Sequence, residues 1–195
     1  MADLLTLEQY KESESIQSSK DDARINSLIS SVSQLVKTYC NNTFVDHYTT
    51  NKIETYSINY STTSVQLTES PLVSIVSVEE RDFISGTYTA LTANSDYYFD
   101  DVTDSIFRSN GYNGYKSFPQ GPGAVRVTYK AGYAECPADL KLAVIDLITY
   151  YLKDEHKERK TLAGATVTNQ TSSSQTNNVA FPDHIKRVLD LYKNF

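Results

Sequence analysis

The hydrophobic period of this chain changes twice along its length. Ala23, Ile25, Leu28, Ile29, Val32, Leu35, Val36, Tyr39 and Cys40 recur at three- and four-residue steps, a spacing that gathers them on one stripe of an amphipathic helix. From about Thr43 to Tyr133 the period falls to near two, in runs of β-branched and aromatic residues separated by Asn, Gly, Asp and Ser, which is strand patterning. Helical spacing returns with Leu140, Ala143, Val144, Leu147, Ile148, Tyr151 and Leu152. Such a chain is neither all-helical nor all-β. It reads as α+β: a helical core of two long amphipathic helices, with short N-terminal and C-terminal helices, carrying a large antiparallel β insertion.

Local signals set the boundaries. Thr6-Leu7-Glu8-Gln9 fits a capping box and opens a short helix over residues 6 to 15. Ser19, followed by acids, opens the first long helix, residues 19 to 41, which closes at Asn41-Asn42. The β insertion spans 43 to 133, with strands expected at 44–49, 53–59, 64–67, 73–81, 88–91, 97–99, 105–108 and 124–129. Gly121-Pro122-Gly123 is read as unfit for a central strand, so 109 to 123 becomes a long loop bearing Tyr112, Tyr115 and Phe118. Pro137 fits the first turn of the second long helix, drawn to residue 160 through a run of charges read as a solvated end. Residues 1 to 162 then form one domain. Residues 163 to 180, rich in Asn, Gln, Ser and Thr, read as a flexible polar linker. Pro182 opens a last helix within 181 to 195, whose face is Ile185, Val188, Leu189, Tyr192 and Phe195. That face can fold back on its own core or, using the linker's reach, meet a neighbouring subunit.

Several functional classes are disfavoured. No run approaches the roughly 20 apolar residues of a membrane span, and Met-Ala-Asp-Leu-Leu is not a basic start to an export signal, so neither membrane insertion nor secretion is expected. Eighteen Lys and Arg against 24 Asp and Glu leave a formal charge of −6, without the cationic surplus of tight DNA binding. Cys40 and Cys136 read as free thiols, and His47, His156 and His184 fall in separate segments, so neither a metal nor a cofactor is expected. The densest acidic cluster, Asp96, Asp100, Asp101 and Asp104, lacks the spacing of a calcium loop, and no phosphate cradle or nucleophile motif accompanies it. Catalysis is not expected. A ligand-binding β module is a rival reading, suggested by 15 tyrosines and weakened by the absence of Trp.

Three segments carry a family resemblance. Leu4-Leu5-Thr6-Leu7-Glu8-Gln9-Tyr10-Lys11, then Asp21-Asp22-Ala23-Arg24-Ile25-Asn26-Ser27-Leu28-Ile29 closing in Val36-Lys37-Thr38-Tyr39-Cys40, is similar to the opening helix pair of the head-tail connector proteins of tailed bacteriophages, the adaptor or head-completion family. Val125-Arg126-Val127-Thr128-Tyr129-Lys130-Ala131-Gly132-Tyr133 with Cys136-Pro137-Ala138-Asp139-Leu140-Lys141-Leu142-Ala143 resembles its strand, turn, proline and helix junction. Phe181-Pro182 through Val188-Leu189-Asp190-Leu191-Tyr192-Lys193 resembles its closing helix. Compact members are almost wholly helical, so the β block is a departure.

The resemblance implies a structural neck protein of the virion, made in the host cytoplasm. It would form a homo-oligomeric ring, commonly of twelve subunits, that docks on the portal protein, extends the DNA channel and presents a surface to the next neck or tail protein. DNA would pass through without specific binding. A ring needs two different complementary faces on each subunit, and amphipathic helices can supply them; an acidic chain suits a conduit that must not hold phosphate. The final helix, through Ile185, Val188, Leu189, Tyr192 and Phe195, is the expected docking element, and removing 181 to 195 is expected to leave a folded monomer. Tyr112, Tyr115 and Phe118 are the second expected contact. Another neck or tail-completion subunit is the reading nearest to this one.

Overall fold

The computed structural model describes residues 2–112, 114–153, 159–162, 165–168 and 181–193. In chain order the elements are α1 (Leu7–Ser13), α2 (Asp22–Cys40), β1 (Lys52–Ile58), β2 (Ser64–Gln66), β3 (Leu72–Glu80), β4 (Thr89–Ala90), β5 (Tyr97–Asp100), β6 (Ser105–Arg108), β7 (Gly121–Ala131), α3 (Ala138–Leu152), β8 (Arg159–Leu162), β9 (Ala165–Thr168) and α4 (Asp183–Leu191). They divide into two compact units, one of Met1–Asn42 with Glu135–Phe195 and one of Thr43–Ala134.

The class is α+β, but the expected helical core built on two long amphipathic helices is not what forms. The four helices are mostly short, at 7, 19, 15 and 9 residues, and the β region makes two antiparallel sheets with an apolar core of their own. The helix drawn to residue 160 stops at Leu152, with Lys153 as its C-cap. Its apolar stripe ends there, and helices in proteins persist mainly where a face is buried. Residues 159–162 and 165–168 instead pair as an antiparallel ribbon, Lys160 opposite Val167. The other residues of the expected linker, 163–164 and 169–180, lie outside the described residues.

In the helical unit α1 begins with the capping box: the Gln9 amide donates to the Thr6 hydroxyl at 3.2 Å, and the Thr6 amide to the Gln9 side chain at 3.1 Å. Helix α2 takes Asp21 rather than Ser19 as its N-cap, with no side-chain cap bond, and ends on Asn41 in the left-handed region at φ 51. Ile25, Ile29, Val32, Val36 and Cys40 line its buried side, and Leu140, Ala143, Val144, Leu147 and Ile148 that of α3. Each fully buried Ile, Leu or Val contributes roughly 1.5–3 kcal/mol. The N-terminal arm is tied to α2, the Leu4 amide donating to Ser33 Oγ at 3.0 Å and Lys37 Nζ to the Ala2 carbonyl at 2.7 Å.

The β unit pairs its strands β1-β7-β3-β4 in one sheet and β2-β6-β5 in the other, all antiparallel. Ile58, Val78, Val125, Val127 and Tyr129 from the first sheet and Val65, Tyr97 and Ile106 from the second share one cluster. Two expectations fail here. Gly121-Pro122-Gly123 does enter the central strand β7, at an end where the register with β1 shifts between Tyr56 and Ile58; the irregularity admits the proline and the positive φ of both glycines. The strand expected at 44–49 is a series of turns, because Phe44 adopts φ 62 with its ring fully buried.

Candidate assembly interface

Helix α4 opens on Pro182 and turns Ile185 and Leu189 inward, with 1% and 0% exposure. The reason is amphipathic spacing: four residues apart, both side chains fall on one face, and that face meets α2 and α3 of its own unit. Polar contacts frame the seam. The Tyr39 hydroxyl donates to Asp190 at 2.5 Å, the Tyr192 hydroxyl to Asp139 at 2.6 Å, and the Cys40 thiol to the Leu189 carbonyl at 3.5 Å. Phe181 meets Tyr39 edge-on at 5.0 Å, and Lys193 lies over the other part of the same seam, 5.0 Å from the Tyr39 ring centre. Burial, and then the Asp190 bond and charge, push the Tyr39 hydroxyl up to about 12. Burial, and then Asp190, push the Cys40 thiol up to about 12. The Tyr192 bond leads the causes that lower the Asp139 carboxyl, which also sits in the first turn of α3.

The expected docking face is thereby divided. Ile185 and Leu189 are taken by the chain's own core, so deletion of 181 to 195 would strip that core rather than leave the unit intact. Val188 and Tyr192 are half-buried, and Phe195 lies outside the described residues. The large apolar residue that α4 presents outward is Leu191, 79% exposed, one the periodic stripe passed over.

The tyrosine-bearing loop is divided in the same way. Phe118 is buried in the β unit's core, whereas Tyr112 and Tyr115 stand 87% and 73% exposed. Tyr115 packs on Phe107 at 5.8 Å, and with Tyr98, Arg108, Ser109, Tyr112 and Gly114 they line an open cleft of about 200 Å³. Its floor is rigid. Arg108 donates to both Glu80 oxygens at 2.9 Å and to the carbonyls of Asp96 and Ser109 at 2.5 and 2.8 Å, so its charge belongs to the scaffold. Phe83 and Ile84, at the turn between β3 and β4, are also exposed; two apolar residues inside a turn were the overlooked signal.

The acidic cluster builds turns. Asp96 accepts from the Thr92 amide at 2.9 Å, which leads the causes lowering its carboxyl, ahead of the Arg108 charge. Asp100 accepts from Val102 and Thr103, and Asp104 from the Leu72 amide at 3.3 Å. Among the described residues no three His, Cys, Asp or Glu side chains converge as a metal site would need, and no helix is long and apolar enough to cross a membrane.

Comparison with known proteins agrees with this architecture. A family model described as head completion protein matches residues 3–195. The head completion protein of Escherichia phage T5 is 33% identical over 76 residues, a stretch covering 38% of this chain and 41% of that protein. Among solved structures, the fold matches a chain in the neck of an empty gene transfer agent particle determined with C6 symmetry, at TM-score 0.61 and 13% identity, covering 98% of this chain and 90% of that one. A chain in the neck of the native particle, determined with C12 symmetry, matches at TM-score 0.60 and 12% identity over the same shares. The chain belongs to the head completion protein family.

Proposed function

We propose that the protein forms a ring that docks on the portal, continues its DNA channel and joins head to tail, without catalysing a reaction. The observation that carries this reading is a fold shared across nearly the whole chain with neck subunits that stand in six- and twelvefold symmetric assemblies. The subunit has features that suit such a role. Leu191 and the half-buried Val188 and Tyr192 give the C-terminal helix, with the segment from 181 on, an outward surface for the portal or a neighbour, and Phe195 would extend it. The cleft edged by Tyr98, Tyr112 and Tyr115 gives the β unit a second surface, for the next neck or tail protein; exposed aromatics concentrate binding energy when a partner encloses them. Phe118 belongs to the core of the same unit and not to that surface.

The test is to mix the full chain with portal rings and weigh the complexes. Wild-type chain is expected to add as a complete ring, and Leu191→Glu, which alters an exposed position, to bind about tenfold or more weakly. Unchanged binding of the variant would remove α4 from the docking surface, and a wild-type chain that stays single beside portal rings would overturn the ring. A ligand-binding β module is the second reading, favoured by the tyrosine cleft; saturable glycan binding with no affinity for portal would select it.

A further inference from the structure

The β8–β9 ribbon has four residues on each strand and forms a two-stranded sheet. Among the described residues, both of its outer edges lack a strand partner. A lone hairpin is marginal in water, and an open edge is a template for another strand. Thr161, Thr166, Val167 and Thr168 give it high strand propensity, and neither strand contains Pro or Gly. The strands also differ in charge: β8 carries Arg159 and Lys160, while β9, Ala-Thr-Val-Thr, carries none.

From these features we propose that in the assembled ring the β9 edge of one copy pairs with the β8 edge of the next, so that the ribbons close into a continuous antiparallel β-barrel. This rests on the ring reading above. Pairing β8 with β8 would crowd four cations onto one short ladder, which like-charge repulsion opposes. Pairing β9 with β9 would leave every β8 edge open. Only β9 against β8 avoids both, and it is a heterologous contact, the kind that repeats around a ring. The strand directions agree, because β8 and β9 are antiparallel within a copy and equivalent ribbons share one orientation about the axis. One repeated contact therefore satisfies both edges of every copy, and closure leaves no edge at all.

The test uses the full chain, free and assembled on portal rings. Backbone amides of 159–162 and 165–168 are expected to exchange at least about tenfold more slowly after assembly. Lys160→Cys and Val167→Cys chains, mixed and oxidised, are expected to give a disulfide-linked dimer of one variant with the other, containing this chain alone, since Cys40 is buried and burial pushes the Cys136 thiol up to about 11. Replacing 159–168 by a Gly-Ser segment of equal length is expected to preserve the monomer's circular dichroism and thermal transition and to abolish ring formation. A wild-type ring whose ribbon amides exchange at the free-chain rate, or one that assembles equally well without the ribbon, overturns the barrel and leaves the ring standing. A wild-type chain that never assembles overturns both, and its single-copy mass tells the two failures apart.

Discussion

Glu54 and Glu69 show how this fold keeps carboxylates in poorly hydrated places. Lys52 reaches both, at 2.8 and 3.0 Å, and Glu69 also takes the amide and hydroxyl of Thr43 at 2.8 and 3.0 Å. Burial alone would raise the Glu54 carboxyl, but bonds from Lys52, Thr68 and Tyr56 and the Lys52 charge bring it below its ordinary 4.5. A carboxyl lowered in the folded state stabilises fully above the unfolded value and loses that contribution as pH falls through the folded one. Thermal midpoints are therefore expected to drop as pH falls below about 4.5, and Glu54→Gln to be less stable at neutral pH with a shallower acid drop. An acid limb unchanged in the variant would assign the effect elsewhere. Gly132 has a different constraint: at φ +99, a Cβ would stand 2.1 Å from the Phe44 carbonyl oxygen. Gly132→Ala is expected to cost about 2 kcal/mol or more in urea unfolding, through backbone strain and steric displacement together.

At the scale of elements, α4 belongs to the core of its own unit. Leu189→Ala is expected to cost about 2–5 kcal/mol, the range for emptying a buried leucine site, and to speed labelling of Cys40, whose thiol lies against the Leu189 carbonyl. A thiol reagent added at pH 8 reads both effects: slow in the wild-type chain, because the Cys40 thiolate is suppressed by burial, and faster in the variant. Equal labelling rates would mean that α4 does not shield Cys40. The sequence made α4 legible as a helix with an apolar face, through Pro182 and the spacing of Ile185 and Leu189. It left open where that face goes, since a stripe specifies which side avoids water and not what covers it.

At the scale of the whole molecule, the two units have separate hydrophobic cores, and the β unit's ends are tied to each other. The Tyr133 amide donates to the Phe44 carbonyl at 2.6 Å, and the Ala131 amide to the His47 carbonyl at 3.1 Å. The excised segment Thr43–Ala134 is therefore expected to fold alone, with a single cooperative thermal transition and dispersed amide resonances. A molten fragment would show that its sheets depend on the helical residues. This arrangement departs from a helical core decorated by an insertion, and the reason is the cluster of Val78, Val127, Tyr129 and Ile106, which closes a core from strands alone.

The order of periods along the chain determined most of the elements, because 3.6-residue and two-residue spacings bury different sets of side chains and need no distant partner to be read. Capping at Thr6 and Gln9 was legible for the same reason: both groups lie within one turn. The fates of similar-looking residues were decided only in three dimensions. Phe118 is interior while Tyr112 and Tyr115 face water, Ile185 and Leu189 are enclosed while Leu191 is free to meet a partner, and α3 ends at Leu152 where its buried stripe ends. Each outcome depends on which surface arrives from elsewhere in the chain, and that is a property of packing between segments far apart in sequence.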